Sequence, residues 1–106
     1  MISNQKIAKK IASSLLQINA IKLNIQNPFK WSSGWNSPIY CDNRICLSYP
    51  KVRDFLANSI AQEIKKKTSG NFVIAGVATG AIGIGMLVAN KLDLPVIAIL
   101  DTNSDP

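Results

Sequence analysis

Apolar residues recur at Ile7, Ile11, Leu15 and Ile18 with Lys6, Lys9 and Lys10 between them, a spacing that predicts an amphipathic helix over 4–21. Such a helix needs a partner surface. Residues 24–50 change character: Pro28, Gly34, Pro38 and Pro50 interrupt aromatic and β-branched residues, which predicts short strands and turns. Pro50 opens a second helix, with Val52, Leu56, Ile60 and Ile64 as its apolar stripe, Phe55 alongside, and Gly70 ending the segment after Lys65, Lys66 and Lys67. The run from Phe72 to Val77 is continuous and apolar, as expected of a strand buried on both faces of a parallel sheet. A glycine-rich turn, a nearly all-apolar helix over 81–92 and a second apolar run, Val96 to Leu100, complete a β-α-β unit. Two parallel strands need further strands or helices to cover both faces, so the expectation is an α/β domain cut short.

Composition narrows the chemistry. The chain has 106 residues, enough for one small domain, and no apolar stretch long enough to span a membrane. Histidine is absent, which removes imidazole bases, Ser-His and Cys-His nucleophile systems and most zinc sites. Cys41 and Cys46 are too few for a disulfide framework, and the start lacks the features of a secretory leader, so a reduced, cytoplasmic chain is expected. No internal repeat or low-complexity segment is present. Charge is unevenly placed: residues 1–67 hold eleven bases against three acids, a balance of +8, whereas 68–106 carry −2. A basic half suits nucleic acid or a polyphosphate. Only two of the twelve bases are Arg, the usual base-reading residue, and Lys65 to Lys67 at a helix end complement the helix dipole, so no nucleic-acid partner is expected.

Two segments could carry chemistry. Thr79-Gly80-Ala81-Ile82-Gly83-Ile84-Gly85 joins a predicted strand to a predicted helix, where free N–H groups and the helix dipole attract an anion. It is not a Walker A loop, and the dinucleotide fingerprint lacks its third glycine. The turn also looks like that of short-chain dehydrogenases, one residue short, with Asp101 placed like a ribose-binding acid. The alternative is that the glycines only let helix and strand pack closely. The second segment, Asn27 to Arg44, concentrates aromatic rings, hydroxyls, a carboxylate and a guanidinium, a composition suited to a planar polar ligand. Its bland reading is a hairpin layer in which Phe29, Trp31 and Tyr40 fill core while Asp42 pairs with Arg44 or caps a turn.

Ala20-Ile21-Lys22-Leu23, Pro28-Phe29, Ser33-Gly34, the run Ser37-Pro38-Ile39-Tyr40-Cys41-Asp42-Asn43-Arg44, Leu47-Ser48-Tyr49-Pro50 and Ile74-Ala75-Gly76-Val77-Ala78-Thr79-Gly80 closely resemble orotate phosphoribosyltransferases, over residues 5–97. The resemblance implies a type I phosphoribosyltransferase-like parallel sheet with an N-terminal hood, truncated after the second core strand. Residues 1–50 would form the helix and hood, and 51–106 a helix and the β-α-β start of the core. It implies transfer of phosphoribosyl from Mg²⁺-bound phosphoribosyl pyrophosphate to orotate, giving orotidine 5′-monophosphate in pyrimidine (UMP) synthesis. Lys22, Ser33, Tyr40 and Cys41 would contact orotate; Ala78, Thr79, Gly80 and Ala81 would form the pyrophosphate loop; the whole enzyme would be a cytoplasmic homodimer with no membrane partner. A lysine that some members carry beside Ser-Gly is Ser32 here. The family's Arg-x-Lys-x-Lys-x-His loop after the second strand is replaced by Leu100-Asp101-Thr102-Asn103-Ser104, so no catalytic residue and no protein metal ligand are expected, and the 106-residue chain is expected to be inactive by itself. Two alternatives are a non-catalytic remnant that binds ligand or a full-length subunit, and an NAD-binding dehydrogenase fragment.

Overall fold

The computed structural model describes residues 4–31 and 33–100, and its contacts divide the chain into two compact units between Cys46 and Leu47. In the first unit, helix α1 (Gln5–Gln17) begins where the Asn4 side chain accepts the Ile7 N–H at 3.1 Å. It stops four residues before the periodicity does. Asn19 takes a left-handed conformation (φ 61°), and the Ala20 N–H returns to the Leu15 carbonyl at 2.9 Å, closing the last turn. That leaves Ile21–Leu23 free to form strand β1, whose first residue, Ile21, the apolar spacing had assigned to the helix.

Three short strands within 24–50 follow the expectation in kind. Strand β2 (Phe29–Lys30) pairs antiparallel with β3 (Asn36–Ser37), and β4 (Ile39–Cys41) pairs antiparallel with β1 in the register Ile21 to Cys41, Lys22 to Tyr40 and Leu23 to Ile39. The β2–β3 hairpin closes through the Gly34 N–H to the Trp31 carbonyl at 2.9 Å, with Gly34 at φ 92°, a conformation that strains any other residue. Ser37 and Pro38 make the corner into β4: the buried Ser37 hydroxyl accepts the Ile39 N–H at 3.2 Å, and the Pro38 carbonyl accepts the Asn24 N–H at 2.7 Å. A 3-10 helix, Asn43–Ser48, carries the chain across the boundary between the units.

The second unit holds helix α2 (Pro50–Lys67), strand β5 (Ile74–Val77), helix α3 (Ile82–Leu92) and strand β6 (Val96–Ile99). Strands β5 and β6 are parallel, with Gly76 opposite Ala98, so the predicted β-α-β unit is present. Helices α2 and α3 meet over Ala57, Ala61 and Val88, packed round by Ile60, Ile64, Ile74, Ile84, Leu87 and Leu92. The buried stripe of α2 is thus turned from the expected one: small residues lie at its centre, where helices approach closely, and Ile60 and Ile64 flank them.

The expectation of strands buried on both faces is not met. Helix α3 covers the sheet face of Ile74 and Gly76, but the opposite face, with Val77, Ile97 and Ile99 each about half exposed, is bare. A two-stranded sheet with one helical layer has nothing to place there within this unit.

Candidate functional site

The first unit gathers most of the predicted hood residues at one place. Ser33, Tyr40 and Cys41 line a solvent-open depression of about 640 Å³ together with Lys30 and Trp31. Phe29 of β2 lies 5.7 Å from Tyr40 of β4, tilted by 39°, so the two short ladders are packed through aromatic side chains. Lys22 does not line the depression. It sits opposite Tyr40 in the β1–β4 ladder, and directly opposed residues share a sheet face.

Trp31 and Tyr40 are exposed, so the bland reading in which both fill core does not hold; Phe29 alone of the three is half-buried. The other half of that reading does hold. The Arg44 guanidinium grips Asp42 with two hydrogen bonds, Nε to Oδ1 at 2.9 Å and Nη2 to Oδ2 at 3.0 Å, and the Arg44 backbone N–H adds a third to Oδ1 at 3.1 Å. Those bonds hold the Asp42 carboxyl below the usual carboxylate range, with the field of Lys22 adding to the effect, and Asp42 in turn raises Arg44. The Asp42 backbone N–H reaches the Ala20 carbonyl at 2.8 Å, which ties this clamp to the end of the β1–β4 ladder. Cys41 is exposed and its thiol donates to Asn43 Oδ1 at 3.1 Å, whereas burial pushes the Cys46 thiol up.

In the second unit, Ala78, Thr79, Gly80 and Ala81 form the turn between β5 and α3, and the Ala78–Thr79 peptide is cis. The turn is pinned at both ends, by the Ala78 N–H to the Ile99 carbonyl at 2.8 Å and the Ala81 N–H to the Val77 carbonyl at 3.0 Å. Among the described residues, no backbone carbonyl takes the N–H groups of Thr79, Gly80, Gly83 or Ile84. Unpaired amides at a helix start are donors available to an anion.

The two readings of the glycine-rich turn divide between residues. A Cβ on Gly76 would lie 2.8 Å from the Ala81 carbonyl oxygen, one on Gly85 would lie 3.3 Å from Gly76 Cα, and one on Gly83 would meet Leu47 Cδ1 at 2.7 Å. These three glycines serve close packing, so the glycines of the dinucleotide-type pattern have a structural use. Asp101, the proposed ribose-binding acid, lies outside the described residues, as do Ser32 and the rest of the segment after Leu100.

Lys30 and Trp31 are the lining residues that the family pattern did not mark. Their signal in the sequence was the alternation of aromatic and polar residues through 27–44. Among the described residues no cluster of three His, Cys, Asp or Glu could hold a metal ion, and no helix is long and apolar enough to cross a membrane.

A two-stranded parallel sheet with an unpaired-amide turn, joined in sequence to a β-ladder hood, is the first part of a type I phosphoribosyltransferase fold. The solved structure of orotate phosphoribosyltransferase from Aeropyrum pernix superimposes on 84% of the chain with a TM-score of 0.70 at 22% identity, covering 52% of that protein. No family model matches. Curated relatives do: the orotate phosphoribosyltransferases of Phocaeicola vulgatus and Porphyromonas gingivalis are 50% and 48% identical over 93% of this chain. The chain is similar to orotate phosphoribosyltransferases over part of their sequence, and it spans about half the length of the curated relatives it matches. Nothing in these comparisons supports a dehydrogenase.

Proposed function

We propose that the chain supplies the base-recognising hood and the first pyrophosphate loop of an orotate phosphoribosyltransferase, the enzyme that forms orotidine 5′-monophosphate and pyrophosphate from orotate and phosphoribosyl pyrophosphate in pyrimidine synthesis. The observation that carries the reading is the depression lined by Ser33 with Tyr40 and Cys41, the last two within the Ser-Pro-Ile-Tyr-Cys-Asp-Asn-Arg run, in a chain 50% identical to such an enzyme over 99 residues. In this reaction a ring nitrogen of orotate displaces pyrophosphate from the ribose carbon, and the protein's part is positioning and charge stabilisation. Tyr40 and Trp31 offer ring faces to a planar base, Ser33 a hydroxyl, and Lys22 a positive field on the Tyr40 face. The free amides of the turn containing Ala78, Thr79, Gly80 and Ala81 are donors suited to diphosphate oxygens.

Mg²⁺ supplies charge neutralisation of the leaving diphosphate. The described residues do not fit a protein site for it, because no three His, Cys, Asp or Glu among them come together. The reading carries with it a homodimeric whole enzyme in the cytoplasm.

By itself the 106-residue chain is expected to bind orotate but not to turn it over, since Leu100 to Ser104 hold no Lys, Arg or His to meet the leaving group. Calorimetric titration with orotate tests the first part, and absence of binding at millimolar ligand overturns the reading. Incubation with orotate, phosphoribosyl pyrophosphate and Mg²⁺ tests the second: orotidine monophosphate above a no-enzyme control would show that these residues suffice for catalysis.

A further inference from the structure

We infer that Lys30 is the residue that reads a ligand carboxylate in the hood depression, making this site selective for a planar aromatic acid over the same ring without its acid group. The inference rests on the reading that the depression takes orotate, and it assigns the charge recognition to a residue outside the set marked by family resemblance.

Arg44 is held by both oxygens of Asp42, and the field of Lys22 falls on the same carboxylate. Lys30 lines the depression and has no carboxylate within ion-pair distance among the described residues. Its backbone is held in place: Lys30 pairs with Asn36 in the β2–β3 ladder, and the next residue closes that ladder through the Trp31 N–H to the Trp35 carbonyl at 2.8 Å. The same lining offers Trp31 and Tyr40, respectively 47% and 38% exposed, as ring faces for a flat ligand. A lysine with no ion pair among the described residues, on the same lining as two exposed aromatic residues, complements a flat ring bearing a negative edge group better than it does a neutral ring. No acid in the lining competes for the cation.

Orotate and uracil, which differ by one carboxylate on the same ring, separate this proposal from the reading beneath it. Each is titrated calorimetrically at low salt into the unaltered chain and into Lys30→Gln, Lys30→Arg and Lys10→Gln, the last removing an equal charge from α1. The expected result is that Lys30→Gln weakens orotate about tenfold, the scale of one charge-assisted hydrogen bond at an open site, while leaving uracil unchanged. Lys30→Arg should keep most of the orotate affinity, and Lys10→Gln all of it. Orotate binding to Lys30→Gln at full strength would overturn the Lys30 assignment and leave the hood reading intact. Equal loss of both ligands in Lys30→Gln, or an equal loss of orotate in Lys10→Gln, would also overturn it, since the effect would then be structural or non-local. Failure of the unaltered chain to bind either ligand would overturn the hood reading and the assignment together.

Discussion

Asp42 and Arg44 show how a two-residue spacing becomes a fixed device. The pair was visible in the sequence as one of two bland alternatives, and the structure realises both, an ion pair and a turn cap, because Oδ1 accepts from the guanidinium and from the Arg44 backbone at once. A carboxyl held below its ordinary value by such bonds contributes its preference for the folded state above that ordinary value, and loses it as pH falls through the depressed one. The clamp is therefore expected to stay closed across neutral and mildly acidic pH and to open only below the usual carboxylate range. Carbon-detected NMR titration of the Asp42 carboxyl checks this. In Arg44→Gln the titration should move up towards the ordinary value; an unmoved midpoint would mean that Arg44 is not the cause. The role of Lys30 was less legible, since nothing in the one-dimensional pattern tells a solvated lysine from one that lines a depression together with two aromatic residues.

At the scale of elements, the glycines of the β5–α3 junction make unequal demands. Gly76→Ala would drive a Cβ against the Ala81–Ile82 peptide, with Ala81 O at 2.8 Å and Ile82 Cα at 3.1 Å, backbone atoms that cannot swing aside. A cost of roughly 1–3 kcal/mol is expected from such overpacking. Gly83→Ala meets only the end of the Leu47 side chain, and it gains up to about 1 kcal/mol of helix propensity, so its net effect should be within about 1 kcal/mol of zero. Urea denaturation of the two variants checks the contrast, and equal destabilisation would contradict it. Helix and strand identity in this region could be read directly from the apolar runs. The boundary of α1 could not: Ile18 and Ile21 continue the apolar spacing, and only the left-handed turn at Asn19 ends the helix.

At the scale of the molecule, the described residues of the second unit leave one face of its sheet exposed. Val77, Ile97 and Ile99 lie on one side of β5 and β6 at 54%, 52% and 46% exposure, and contiguous exposed apolar surface favours dye binding and self-association. The 106-residue chain should therefore enhance anilinonaphthalene sulfonate fluorescence in the absence of denaturant, and the double variant Ile97→Lys, Ile99→Lys should reduce that signal several-fold. A variant signal equal to that of the unaltered chain would place the dye elsewhere. This bare face is also where the expectation of doubly buried strands failed. The apolar runs report what such strands require, whereas burial depends on how many neighbours the fold provides.

The sequence by itself determined the kinds of elements, the β-α-β order and the resemblance to orotate phosphoribosyltransferases, because periodicity, composition and motif are one-dimensional properties. The tertiary structure decided which residues share a surface. It put Lys30 and Trp31 beside Ser33, Tyr40 and Cys41, gave Gly76, Gly83 and Gly85 to packing and left the amides of Thr79 and Gly80 free. Those outcomes turn on hairpin register, ring contact and approach distances of a few ångströms, which arise only when segments distant in the chain pack together.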